Sequence, residues 1–431
     1  HIWSSNMEEF TGDEASQSNQ IFPVETTPHT AVEAVAAPSN PSYAPDSHVP
    51  GSEEVNSEWQ IGISEPQKAG EGVMGTYMVY TITIKTTNSN FRSGEWSVER
   101  RYSDFEWLRT KLSAAFRGTI VPPMPEKAPL NRFDQDLLTY RRKELERFLK
   151  RILNQPLFLS NEDLRTFLEA SEAVLTQAKS AKSLSASTDS KPKSFFSGLM
   201  DKVTSVQNSL GTANEVDEWF DQQRRYWQTI ENNIGLLLAR SASISKRHRE
   251  LGQNWMEMSQ IGSTLAGNES PTDELLASYY QKLSEITTQL SGLEQELSDN
   301  QSNFFEDSIK DWIRVINSAH EVLDNRQQDL LLYQNATKNR ESKQEKLNKN
   351  PANANAQQEL NDAEARETTC RNQFELISKT AREELDGLLK VKSQELAVAV
   401  RRLVQNSMNY HLSAASLWKE ILSAIEEQPT E

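Results

Sequence analysis

From Glu215 onward the chain carries almost no proline or glycine inside three long polar-rich segments. They run over about 214–265, closed by LAGNESP, about 272–349, closed by NKNPANAN, and about 356–426. Segments without breakers and with one apolar stripe predict long amphipathic helices, and at 1.5 Å per residue the later two would each be on the order of 100 Å long. Hydrophobic residues make up 36% of the 431, and the 16 glycines do not bring the total to the ~45–50% usual for globular chains. Helices that long and that thin in apolar content leave a stripe uncovered in a monomer, so a dimer is expected. Trp219, Phe220, Trp227, Trp255, Tyr279, Phe304, Trp312 and Trp418 are expected to fill the core and its seam.

Charge sharpens the division. The formal net charge is -16, shared as -9 over residues 1–57, +2 over 58–170, +2 over 171–214 and -11 over 215–431. An acidic chain of this kind lacks the basic face that counterion release requires, which argues against nucleic acid as the main partner. The single cysteine, Cys370, excludes a disulfide framework within one chain. No run approaches the ~18 apolar residues of a membrane span, and the first residues lack the layout of a signal peptide, so a cytosolic protein is expected. The six histidines are dispersed, and the zinc-protease, P-loop, nucleophile-elbow and kinase signatures are all missing. A non-enzymatic chain without metal or cofactor is expected.

Residues 1–57 are rich in Ser, Pro, Glu and Ala without a sustained period, the composition of a disordered tail. At Trp59 the character changes. WQIGISEP, GTYMVYTITIKT (75–86) and EWSVERRYSDF (95–105) are β-branched and aromatic runs separated by turn-prone stretches, which predicts a small antiparallel meander. SDFEWLRTKLSAAF then shows helical spacing at Phe105, Leu108, Leu112 and Phe116, with Ser103 as the candidate N-cap. The prolines of VPPMPEK (121–127) enforce an extended loop. DQDLLTYRRKELERFLKRILNQP and NEDLRTFLEA close the unit as helices, the last capped by Asn161.

A strand ending in Arg100-Arg101-Tyr102, a stiff loop carrying Lys127 and a helix carrying Arg141 are three elements able to converge on one anion, with an aromatic floor for a sugar-like ring. Each of Arg100, Arg101 and Arg141 taken singly reads more readily as a surface charge. RRYSDF, PPMPEK and YRRKELERFL together resemble a PX domain, the phosphoinositide-binding module of sorting nexins, over roughly residues 57–170. The resemblance implies that Arg101 holds the 3-phosphate of phosphatidylinositol 3-phosphate and Tyr102 packs on the inositol ring. It also implies that Lys127 contacts the 1-phosphate and Arg141 the 4- and 5-hydroxyls. The resemblance implies Arg141 rather than Arg142, because the family pattern places this arginine four residues before a core leucine, here Leu145, and seven before an aromatic, here Phe148.

Residues 171–213 form a linker containing an amphipathic segment, about 194–211, with Phe195, Phe196, Leu199, Met200 and Val203 as membrane-inserting candidates. Two placements fit it: in a membrane interface, or packed on the next domain. The final region, 214–428, is similar to a BAR domain, an all-α three-helix antiparallel coiled coil, in KRHRELG (246–252), DWIRVINSAHEVLDNRQQDLLLYQ (311–334) and LWKEIL (417–422). The order of tail, α+β PX domain (58–170), amphipathic segment and helices resembles the retromer-associated branch of PX-BAR sorting nexins that includes sorting nexins 1 and 2. That resemblance implies a peripheral early-endosomal protein acting in endosome-to-Golgi or recycling transport. It also implies a homodimer or a heterodimer with another PX-BAR sorting nexin, and retromer as a partner. Basic membrane-contact candidates are Lys246, Arg247 and Arg249, the cluster Lys338, Arg340, Lys343 and Lys346, and Arg401 with Arg402. The alternative is a PX-targeted coiled-coil scaffold for partner proteins that does not deform membranes.

Overall fold

The computed structural model describes residues 58–70, 76–127, 134–184 and 213–426, so the tail and the candidates Phe195, Phe196, Leu199, Met200 and Val203 lie outside the described residues. The first ordered segment is a sheet built on β3 (Tyr77–Thr86), which buries Tyr80, Ile82, Ile84 and Thr86 on alternate positions. One edge of β3 pairs antiparallel with β1 (Trp59–Ile63) and β2 (Gln67–Ala69), and the other with β4 (Gly94–Arg101). The three expected runs form β1, β3 and β4, and the short strand β2 is an addition that follows the first run. Pro66, which has no N–H to give, sits between β1 and β2.

Helix α1 (Tyr102–Ala115) starts as β4 ends and buries Phe105, Leu108 and Leu112. The candidate cap Ser103 does not serve; instead Asp104 accepts a hydrogen bond of 2.7 Å from the Arg101 backbone N–H. After the proline loop come α2 (Gln135–Leu153), α3 (Pro156–Leu159) and α4 (Glu162–Glu169), the last capped by Asn161 Oδ1 accepting from Leu164 N–H at 3.0 Å. Phe105 sits at the centre of this core, with ring centroids 6.3 Å from Tyr80, 6.4 Å from Phe148 and 5.0 Å from Phe167. Helix α5 (Glu172–Leu184) follows.

The rest is helical: α6 (Glu218–Glu269), α7 (Glu274–Asn300), a π-helical turn (Gln301–Glu306), α8 (Asp307–Lys349) and α9 (Ala354–Glu426). The three long segments form as expected, α7 and α8 running on through the π turn. That turn faces the hydroxyls of α6. Ser245 donates to Glu306 at 2.7 Å, and Gln301 donates to the Ser241 hydroxyl at 2.8 Å.

The sheet-containing unit packs on α8 and α9 within one compact unit, Pro50–Glu431. The face of α2 supplies Lys143, Arg147 and Arg151 to Asp307 and Asp311, and Arg314 returns to Glu144 and Tyr140. Arg117 meets Asp329 at 2.9 Å, and a Cβ on Gly118 would stand 3.1 Å from Thr380, so only glycine fits this approach comfortably.

Candidate functional site

Strand alternation sends the two arginines at the end of β4 to opposite fates. Arg100 is 1% exposed; its Nε donates to the Phe167 carbonyl at 2.7 Å and its Nη2 to the Ala170 carbonyl at 2.5 Å. It fastens the end of α4 to the sheet. Arg101 faces outward with 40% of its side chain exposed, its guanidinium 3.6 Å from the Tyr77 ring centroid. It donates 2.9 Å to the Tyr77 hydroxyl and also to the Glu172 carboxylate.

Tyr102 is held by its hydroxyl, which donates to the Pro125 carbonyl at 2.6 Å and so fixes the proline loop against α1. Burial, with Glu106 adding and Arg141 opposing, pushes its pKa up to about 12, which keeps it a donor at any physiological pH. Above its ring, 4.8 Å from the centroid, lies the Arg141 guanidinium. Arg141 is only 7% exposed, and its Nε has no hydrogen-bond partner among the described residues. A buried donor left without a partner is costly, and an incoming acceptor would relieve it. Arg142 turns the other way, pairing with Glu65 at 3.1 Å and donating to the Ile63 carbonyl. At the end of the loop Lys127 is exposed and pairs with Glu106 at 2.7 Å.

The structure therefore brings Tyr102 and Arg141 into contact, with Arg101 adjacent in the chain but engaged by Tyr77 and Glu172, and Lys127 at the rim. Tyr77 and Glu172 escape a reading of the sequence, because they lie 24 residues before and 71 after Arg101. Only the pairing of β3 with β4 and the course of α5 bring them together.

The basic candidates of the helical region differ among themselves. Lys246 and Arg247 are exposed on α6, Lys246 3.6 Å from Glu250, and Arg249 donates to Ser302. Near the turn between α8 and α9, Arg340 pairs with Glu367 at 2.9 Å and Lys343 with Glu359 at 2.7 Å, while Lys338 and Lys346 are exposed. The Arg402 guanidinium covers the Phe304 ring at 5.1 Å, and Arg401 is exposed.

Comparison with known proteins places both halves. A family described as Vps5 C terminal like matches residues 192–424, more than half of the chain, and the PX domain family matches residues 88–171. Sorting nexin-1 of Mus musculus is 30% identical over 440 residues, covering 95% of this chain and 80% of that protein. The chain belongs to the PX-BAR sorting nexins. Sorting nexin 1 of Arabidopsis thaliana is 27% identical and covers 85% of this sorting nexin and 92% of its own length. The cryo-EM structure of the SNX-BAR Mvp1 tetramer has the same fold, with a TM-score of 0.55 and 16% identity over 84% of this chain and 99% of that one. The membership makes this sorting nexin a member of a family of membrane-associated sorting proteins. No helix among the described residues is long and apolar enough to cross a membrane, and no group of side chains among them could hold a metal ion.

Proposed function

We propose that this sorting nexin is a non-enzymatic peripheral protein of early endosomal membranes that binds phosphatidylinositol 3-phosphate through Arg101, Tyr102, Lys127 and Arg141. It senses or induces curvature as a BAR dimer in endosome-to-Golgi or recycling transport, with retromer as a partner. The observation that carries the pocket is Arg141: a buried guanidinium over the Tyr102 ring with an Nε that lacks an acceptor. A phosphoinositol ring seated on Tyr102 supplies that acceptor, and Arg101 supplies the two-pronged donor that a phosphate needs.

The dimer is supported by where apolar side chains are left uncovered. On α6 the exposed large ones begin at Leu236 and continue through Ile244, Leu251, Ile261 and Leu265; on α9 they gather at Val400, Val404, Met408, Leu412 and Leu422. A stripe of this size on a soluble helical face fits a second copy, homodimeric or from another PX-BAR sorting nexin.

Co-sedimentation with vesicles with and without phosphatidylinositol 3-phosphate, with electron microscopy of the pellets, tests the whole reading. Wild type should bind in a lipid-dependent way and form tubules, and Arg101→Ala should lose the lipid dependence while keeping its helical content. Binding that ignores the lipid and survives the substitution removes the pocket. The scaffold reading is favoured by one observation: Glu367 and Glu359 already neutralise Arg340 and Lys343. It predicts vesicle binding without deformation.

A further inference from the structure

Arg101 is already occupied. The carboxylate of Glu172, third residue after α4 and first of α5, accepts from the same guanidinium nitrogen that bonds the Tyr77 hydroxyl. Seven residues further along α5, Lys179 pairs with Asp104, whose other carboxylate oxygen accepts from the Arg101 backbone N–H. Among the described residues, both ionic contacts of α5 thus converge on Arg101, one at its head and one at the carboxylate that fixes its backbone. Beyond them α5 is lightly held: Leu175 is buried, whereas Glu172, Val174, Thr176 and Gln177 are exposed.

The root of α5 is built differently. Ala170 has extended backbone, φ -76° and ψ 147°, and its carbonyl is bonded by the buried Arg100. A break in the helical path on a fixed anchor is where a helix can swing without disturbing the domain beneath it. The side chains of the Arg101–Glu172 pair are 40% and 57% exposed, so water screens it and it is easily replaced. A phosphate monoester brings about -1.5 to -2 charges and three acceptor oxygens against one charge and two oxygens for a carboxylate.

We propose that Glu172 is the resident counter-ion of Arg101, a carboxylate that the phosphate of the ligand must displace, and that this exchange releases α5 from the domain. The inference rests on the phosphoinositide reading of the pocket. Its consequence is a difference in how the two ends of the linker are held. The far end is firmly pinned, because Glu215 holds the buried Arg326 with contacts of 2.5 and 3.0 Å. The near end is the one that phosphate binding frees, and with it the 13 residues of α5, roughly 20 Å of helix.

The test uses the full chain and reads two things: affinity for vesicles containing phosphatidylinositol 3-phosphate, and hydrogen exchange over residues 172–184. Glu172→Gln should bind up to about fivefold tighter, as loss of a screened surface pair allows, and Lys179→Met should add to it. Neither gain should appear in an Arg101→Ala background. Exchange in α5 should rise on adding vesicles with the lipid, and also on adding soluble inositol 1,3-bisphosphate, but not with vesicles lacking the lipid.

Glu172→Gln binding no tighter, with α5 exchange unchanged by the lipid while Arg101→Ala still loses binding, overturns the release and leaves the pocket standing. A rise in exchange with lipid vesicles alone assigns the release to the membrane surface and overturns phosphate exchange as its cause. Arg101→Ala binding as well as wild type removes the pocket itself, and the counter-ion role with it.

Discussion

The helical region has two halves built on opposite principles. Where the PX domain docks, the core is large and apolar: Phe220, Trp227, Trp312, Ile316, Leu323 and Leu385 are buried together, and the large apolar side chains of α6 as far as Ile234 are buried or half-buried. In the other half α6 approaches α7 through Ser241, Ser245, Gly252, Ser259, Gly262 and Ala266, and hydroxyl bonds such as Ser259 to Ser284 at 3.0 Å take over. The outer surface of that half is where Leu236, Leu251, Val404 and Leu412 stand exposed. Net stabilisation from such hydrogen bonds is small compared with burying tryptophan. The first half can hold itself together, whereas the second needs its apolar surface covered, which the proposed dimer supplies.

Substitutions at the two places separate these roles. Trp227→Ala opens a large cavity in the first half and should cost about 3–5 kcal/mol in urea unfolding. Val404→Asp with Leu412→Asp changes exposed residues, so each chain should keep its helical content while the assembly falls to monomer mass by light scattering. Each substitution occurs twice in a symmetric seam, and a loss of at least ~100-fold in association is expected. A double variant that remains dimeric puts the seam elsewhere and breaks the comparison.

Acid should act on the docked half through Asp329. Its carboxylate is 1% exposed, and burial outweighs the Arg117 charge at 2.9 Å, so its pKa is raised to about 6. A carboxyl raised above its unfolded value of ~3.9 takes up a proton in the folded state first. Its contribution is therefore favourable below about pH 4 and is lost as pH rises through about 6, by on the order of 2–3 kcal/mol. Glu144 and Glu384 are shifted in the same direction, whereas Asp307 and Asp311 are lowered by their arginines and slope the opposite way. The difference between wild type and Asp329→Asn isolates the single group: melting temperatures of the two should diverge between pH 4 and 6 and run parallel above pH 7. Parallel curves throughout would place Asp329 in a solvated setting and weaken the picture of a tightly closed docking face.

Much of this architecture was legible, for a physical reason. Helix breakers are local, so LAGNESP and NKNPANAN marked the turns that the structure places at residues 270–273 and 350–353. Tyr102 and Arg141 were singled out through the PX resemblance, and the structure brings their side chains together. What stayed hidden depends on non-local pairing. The π turn lies in QSNFFE, which has no local mark, and its partners Ser241 and Ser245 belong to another helix. Likewise the resemblance picks Arg101 out of the pair, whereas the fastening role of Arg100 shows only in its bonds to the carbonyls of Phe167 and Ala170.

Two glycines of α6 give the finest measure of the contrast. A Cβ on Gly235, beside the last buried residue of the first half, meets nothing within 4 Å, whereas one on Gly252 would stand 3.2 Å from the Ser291 carbonyl oxygen and 3.3 Å from Glu294 Cβ. Both positions are helical, so alanine in place of glycine gains about 0.5–1 kcal/mol from reduced backbone entropy wherever space permits. Gly235→Ala should show that gain in full. At Gly252 the obstructing atom is backbone, which moves only if α7 moves, and overpacking of this kind costs about 1–3 kcal/mol. Gly252→Ala should therefore be destabilising despite the better propensity. Urea midpoints measured in the Val404→Asp, Leu412→Asp background keep association out of the comparison. If the two alanines stabilise equally, the helices of the outer half have room to part, and the small residues of α6 are not what sets their separation.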